Sequence, residues 1–506
     1  MTAQHGGTAA GIVHTALSRY GVDSGRTALV HDGRTVSYPE LKVAVQRACA
    51  LLRAHGARPG DHVALLLRNS PEYVVWQLAA LCSGTPMAAL NPMSSRPDQE
   101  FVLADAEATL LVNGDDQAEA AAAMGYPTVP ASSCWDDAVD YGPLPDDVSE
   151  PADIACLSYT GGTTGRPKGV VQTHEMLRQV VLMELAEWPW PRPPRFVAAT
   201  PLSHGAGFFV LPTLLLGGLV ITTSGGGAVN LADVVRTTGA TVTFLVPSLM
   251  HSILAQVDDP KTAFASLALT VYGASPIAPG DLVRCVDVFG PNLVQLYGQT
   301  ESPMILTTLR PEDHDVADPA RLRSCGLPSI GATVVLLDED DRPVATGDVG
   351  EICARGPLVM PGYWHRPEET AAALRSGWLH TGDLGVTDAD GYLTIVGRKK
   401  DMIITGGFNV YPKEVEAALL EHPAVADASV FGVSDAAWGE RVVAAVVVTG
   451  DVDLDEVKAF VRERKGPVQT PKDIVVVPDI PLTAVGKPDK PALRRQVTAE
   501  LEGAQR

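Results

Sequence analysis

Behind the apolar run Ile154–Tyr159 the chain crowds four glycines and three threonines into one loop, Tyr159-Thr-Gly-Gly-Thr-Thr-Gly-Arg-Pro-Lys-Gly169. A strand that empties into such a turn constrains both fold and ligand. Gly161, Gly162 and Gly165 let backbone N–H groups approach an anion, while Thr160, Thr163, Thr164 and Lys168 add donors. The loop reads as a phosphate cradle. It is not a Walker A loop, which needs Gly-Lys followed by Ser or Thr, because Pro167 precedes Lys168 and Gly169 follows it. An ordinary P-loop NTPase is therefore disfavoured, and a flexible polar turn is the plain alternative.

The surroundings of the loop are α/β. Strand-like runs at His62–Leu67, Phe196–Thr200, Thr241–Val246, Leu267–Tyr272 and Leu293–Leu296 alternate with helical stretches such as Tyr38–His55, Leu231–Thr238 and Pro279–Phe289. This pattern predicts layers built on largely parallel sheets. After about Leu327 the rhythm changes to short strands at Ala332–Leu337, Val349–Ala354 and Tyr392–Val396, separated by Gly, Asp and Pro turns, which predicts a small β-barrel-like part. From Asp401 a compact α+β unit is legible, with helices near Pro412–Glu421 and Leu454–Arg464. The fold class is thus α/β: a large N-terminal body over residues 1–397, a domain boundary near Arg398–Lys400 (398–400) and a small α+β C-terminal domain over 401–506, which must be mobile if its distant Lys487 is to reach the phosphate loop.

A chain of 506 residues is too long for one ordinary domain. Its formal net charge of -21 argues against a nucleic-acid partner or an anionic membrane surface, so anionic ligands must be met by local donors. The seven cysteines are scattered without C-x-x-C spacing, which indicates neither a zinc cluster nor a disulfide framework. A cytoplasmic location fits, and the N-terminus lacks the layout of a signal peptide.

Further along, Tyr297-Gly-Gln-Thr-Glu301 offers an aromatic face for a purine, a hydroxyl for a phosphate and a carboxylate for Mg²⁺, although a core tyrosine and a surface glutamate are the plain alternative. Asp383, in a Thr-Gly-Asp turn, can accept bonds from ribose hydroxyls. These two motifs join the phosphate loop, Gly377-Trp-Leu-His-Thr-Gly-Asp383, Gly397-Arg398, Gly406-Gly407 and Gly486-Lys487 in the order of the adenylate-forming superfamily, which the chain resembles over nearly its whole length. The likeness is to its acyl-CoA and aryl-CoA ligase branch.

That resemblance implies an ATP-dependent acid–thiol ligase using ATP, Mg²⁺ and coenzyme A, with a small-molecule carboxylic acid as substrate. It implies Tyr297, Thr300, Glu301, Asp383 and Arg398 as nucleotide and metal residues, joined by Gly273, Ala274, Ser275, Gly298 and Gln299. It also implies that Lys487 bridges carboxylate and α-phosphate, that Lys400 is the hinge, and that Gly406 and Gly407 line a pantetheine tunnel. His204 resembles the family's pocket histidine. Pocket walls are expected from His204, Phe208, Phe209, Val246, Gly273, Gly298, Gln299, Ser302, Pro303 and Met304, mostly small or apolar, which favours an aryl, alicyclic or otherwise bulky acid. No aspartate stands near Ser203 and His204 to meet an ammonium, so an amino acid is disfavoured. The alternatives are a medium- or long-chain fatty acyl-CoA synthetase, an acyl- or aryl-AMP ligase loading a carrier protein, and a non-catalytic nucleotide sensor. A homodimer is left open.

Overall fold

The computed structural model describes residues 7–22, 25–146, 149–160, 167–275, 277, 279–405, 408–435, 438–450, 452–482 and 489–504. Gly161, Gly162, Thr163, Thr164, Gly165, Gly406, Gly407 and Lys487 lie outside the described residues, and Thr160 is described by its backbone alone. The described residues form two compact units, those within 1–162, 166–333 and 354–379 and those within 334–353 and 380–506. The hinge read at 398–400 falls inside the second.

Strands covered on both faces lose the in–out alternation of an edge sheet and become apolar throughout. Val63–Leu66, Leu219–Thr222 and Val242–Leu245 are buried at every position, and the first unit holds two sheets built from such strands. One has the order Thr128–Pro130, Leu110–Asn113, Val63–Leu66, Met87–Leu90, Ile154–Thr160, Lys168–Thr173, parallel except for the last pair. In the other, Leu293–Gln299, Leu269–Tyr272, Val242–Leu245, Arg195–Val197, Leu219–Thr222 and Thr27–His31 run parallel, with antiparallel strands at both edges.

The strand expected over Phe196–Thr200 ends at Val197. The Asn69 amide donates to the carbonyls of Ala198 (3.3 Å) and Thr200 (2.9 Å) and its carbonyl accepts from Leu202 N–H (2.8 Å), so side-chain bonds take over from the ladder and steer the chain toward His204. Helices flanking this region are capped by their own sequence. Ser70 caps Pro71–Ser83, which closes at Gly84 with φ 63, and Thr173 caps His174–Glu187. Between the layers Phe209 stacks on Phe196 (ring centroids 5.1 Å apart) and Phe244 (5.6 Å), each ring contributing about 1.5–3 kcal/mol through burial.

The stretch read as barrel-like is a four-stranded sheet of Thr333–Leu337, Gly350–Arg355, Leu379–Thr387 and Leu393–Arg398. The C-terminal part is a five-stranded sheet centred on the Val425–Asp435 and Gly439–Val448 hairpin, with Pro412–Leu420 and Leu454–Gln469 packed on it through Val415, Leu419, Val457 and Val461. All seven cysteines are free and buried. Among the described residues no helix is long and apolar enough to cross a membrane.

Candidate active site

Val246, Gly273 and Gln299 stand at the C-terminal ends of three neighbouring parallel strands, Val242–Leu245, Leu269–Tyr272 and Leu293–Gln299. The crevice beyond such ends is where open α/β sheets bind ligands. Two of the expected glycines are sterically required there. A Cβ on Gly273 would lie 2.7 Å from the Leu296 carbonyl oxygen, and one on Gly298 would lie 2.9 Å from the Met304 backbone. Ala274 (φ 68) and Met304 (φ 65) hold left-handed backbone although neither is glycine, a strain that clusters at ligand sites. Ser275 is half-buried, Tyr297 is buried, and Ser302, Pro303 and Met304 are buried in the returning strand.

Thr300 and Glu301 form the turn between Leu293–Gln299 and Ser302–Leu309. Residues outside the motif hold that turn. Gln172 donates through Nε2 to the Thr300 carbonyl (3.1 Å), and Met360 N–H donates to the Glu301 carbonyl (2.8 Å). The Tyr363 hydroxyl donates to Glu301 Oε1 (2.8 Å), while its ring lies 5.0 Å from Lys168 Nζ. Burial, and then the adjoining Glu301 charge, push the Tyr363 phenol up, so it remains a neutral donor. Lys168 itself pairs in register with Thr160 at the root of the phosphate loop. Glu301 and Thr300 thus offer hard oxygen atoms of the kind that suits Mg²⁺.

His204 is exposed on the turn after Asn69's anchor, with Ser203 Oγ 2.9 Å from its Nδ1. It borders a cavity, partly open to solvent, whose apolar wall includes Met87, Leu177, Val181, Phe208 and Leu211. Gln172 is also in this wall, so the cavity adjoins the Thr300 turn. Phe208 lines the cavity as expected. Phe209 does not, because the turn over Gly205–Phe209 points it into the aromatic stack, and Val246, Gly273, Gly298, Gln299, Ser302, Pro303 and Met304 belong to the strand ends and the returning strand and do not line this chamber.

In the second unit Asp383 and Arg398 are direct cross-strand partners, with Nε donating to Oδ1 at 3.2 Å. Glu351 organises the Thr-Gly-Asp turn: it accepts from Gly382 N–H (3.2 Å) and Lys399 Nζ (3.1 Å) and lies 3.2 Å from His380 Nδ1. Burial pushes its carboxyl up, but the bonds from His380 and Lys399 and their charges outweigh it and hold the pKa below the ordinary value. Cys353, His380 and Glu351 lie within 4.8 Å of one another, and the Lys399 ammonium on Glu351 supplies positive charge there. Burial and the Arg398 charge depress Lys400, next along the chain.

Sequence reasoning passed over Tyr363, Gln172, Asn69 and Glu351. The one available signal was the Gly362-Tyr363-Trp364 aromatic pair in a turn-rich segment; nothing local marks the others.

The family of AMP-binding enzymes matches residues 19–364, and the AMP-binding enzyme C-terminal domain matches 414–487. A medium/long-chain-fatty-acid–CoA ligase of Mycobacterium tuberculosis is 41% identical over 87% of this chain and 82% of its own. A feruloyl-CoA synthase of an Amycolatopsis species is 39% identical over 93% and 96%. Among solved structures, o-succinylbenzoate CoA synthetase of Bacillus subtilis, in complex with its acyl-adenylate intermediate, superposes with a TM-score of 0.86 at 28% identity, covering 95% of this chain and 98% of that one. The chain belongs to the AMP-binding enzyme family of adenylate-forming ligases.

Proposed function

We propose that this protein is an AMP-forming acid–CoA ligase. A carboxylate oxygen attacks the α-phosphorus of ATP, pyrophosphate leaves, and the acyl-adenylate is then attacked by the coenzyme A thiol with release of AMP. Two anions approach in the first step, so fixed donors must offset the growing charge. Glu301 and Thr300 would hold Mg²⁺, which supplies charge neutralisation on the phosphates. Tyr363 keeps the Glu301 carboxylate in place, Lys168 and the phosphate loop meet the phosphoryl oxygens, and Asp383 and Arg398 meet the ribose.

The single observation that carries this reading is the Tyr363 linkage of Lys168 to Glu301, beside a chamber that His204 borders. The chamber's apolar wall suits an aryl, alicyclic or other bulky hydrophobic acid. We assign Lys487 to the adenylation step, Lys400 to the hinge between residues 1–397 and 401–506, and Gly406 and Gly407 to the pantetheine tunnel. Relatives named as CoA ligases favour coenzyme A over a carrier protein as acceptor. Free, buried thiols suit a reducing cytoplasm.

The test is purified protein with ATP, Mg²⁺ and an acid panel, with and without coenzyme A, following pyrophosphate, AMP and thioester. Acid-dependent pyrophosphate release and thioester are expected. Pyrophosphate and AMP release without thioester would shift the acceptor to a carrier, and silence across the panel would refute ligase activity.

A further inference from the structure

The Pro71–Ser83 helix turns Tyr73, Gln77 and Leu81 toward the cavity at one residue per turn. Leu81 continues the apolar wall. The other two do not. Tyr73 is 1% exposed, and neither its hydroxyl nor Gln77 Oε1 has a hydrogen-bond partner among the described residues. The Gln77 amide is oriented by its NH₂, which donates to the Gly207 carbonyl at 3.4 Å, so the carbonyl end is the one left over. Buried polar groups in native structures are nearly always satisfied, and two unmet atoms one helical turn apart in a ligand chamber point to a partner that comes with the ligand.

The two needs are complementary. A phenol O–H seeks an acceptor, and an amide carbonyl seeks a donor. An alcohol or phenol hydroxyl is both. Met87, Leu177, Val181 and Leu211 line the same chamber, and a bare hydrocarbon filling it would leave both atoms unmet where a hydroxylated one would not. Resting on the acid–CoA ligase reading above, we propose that Tyr73 and Gln77 select acids that carry a hydroxyl group on the body remote from the carboxylate.

The test compares matched pairs in the full-length protein: 3-phenylpropanoate against its ring-hydroxylated forms, and octanoate against hydroxyoctanoates, by pyrophosphate release. The hydroxylated member of at least one pair should be favoured in kcat/KM by about tenfold to a hundredfold, the range of one buried polar group left unpaired. Tyr73→Phe should abolish that preference, keep kcat/KM for the plain acid within about threefold, and leave the KM for coenzyme A unchanged, because the hydroxyl it removes has no partner among the described residues. Gln77→Met should narrow the preference in the same direction, so the outcome does not hang on one variant. A wild-type preference for the plain acid in every pair, an equal loss on both members of a pair, or a changed KM for coenzyme A would each overturn the assignment, the last by giving the polar pair to pantetheine. Silence of the wild type on all acids would instead overturn the ligase reading itself.

Discussion

Replacing Tyr363 separates two contacts that meet on one side chain. Tyr363→Phe deletes the 2.8 Å bond to Glu301 but keeps the ring 5.0 Å from Lys168; Tyr363→Leu deletes both. A hydrogen bond to a charged group contributes about 1.5–3 kcal/mol, so Tyr363→Phe should lower kcat/KM for ATP by roughly 10- to 150-fold. A cation over a half-desolvated ring adds about 0.5–2 kcal/mol, so Tyr363→Leu should lower it by roughly a further 2- to 30-fold. The assay is pyrophosphate release across a Mg²⁺ titration. If Tyr363 works by fixing a metal-binding carboxylate, Tyr363→Phe needs more Mg²⁺ for half-maximal rate and part of its loss is recovered at saturating metal. An unaltered Mg²⁺ dependence, with kcat/KM within about twofold of wild type, would refute the positioning role.

Glu184 is fully buried with neither carboxylate oxygen partnered among the described residues, and desolvation raises its pKa well above the ordinary value. The unfolded chain therefore loses this proton at a lower pH than the folded one, and stability falls as pH rises from the unfolded value to the folded one, by about 1.4 kcal/mol per unit. Glu184→Gln should unfold at higher urea than wild type, by a margin that widens between pH 5 and 7; parallel curves would exclude the effect. Glu351 has the opposite sign: its depressed pKa gives stability that is present above the unfolded value and lost as pH falls through the folded one. Glu351→Gln should cost about 2 kcal/mol at pH 7, and its melting curve should converge with wild type only as pH falls below the depressed folded value. Lys487→Ala should slow adenylation by about 10²- to 10³-fold yet still convert a supplied acyl-adenylate with coenzyme A. Gly407→Leu should do the reverse, and equal loss of both half-reactions in each variant would count against alternating roles for the two positions.

The layered fold was legible because strands such as Val63–Leu66 are apolar at every position and Val242–Leu245 at all but Thr243, a pattern that a doubly covered sheet explains. The strand-end motifs were legible because glycine at 273 and 298 is demanded by neighbouring backbone. Packing choices were not. Phe208 and Phe209 are chemically identical neighbours, and only the tight turn over Gly205–Phe209 sends one to the cavity and the other to the core. Asn69 ends a strand 129 and 131 positions away, a relation no local pattern encodes. The chamber itself lies between the Pro71–Ser83 and His174–Glu187 helices, whose facing surfaces are set by tertiary packing.

The segment Met360–Arg366 shows why a family of short motifs is not yet a site. Read alone it is a compact turn. In the fold, Gly362 accepts from Val171 N–H (3.1 Å) and Trp364 N–H donates to the Gly169 carbonyl (2.7 Å), so the segment runs against the strand that leaves the phosphate loop. Its first residue holds the Glu301 carbonyl and its fourth holds the Glu301 carboxylate. Its last, Arg366, pairs with Asp105 at 2.5 Å, and Asp105 also accepts from Tyr159, the residue that enters the loop (3.0 Å). The strand carrying Lys168 and the turn carrying Glu301 are thereby fixed to one strap rather than to each other, so in the proposed roles neither would need reorganisation as charge builds on the phosphoryl group. On a chain with a net charge of -21, the proposed binding of an anionic substrate would rest on that local placement of Lys168 beside Glu301, not on the global field.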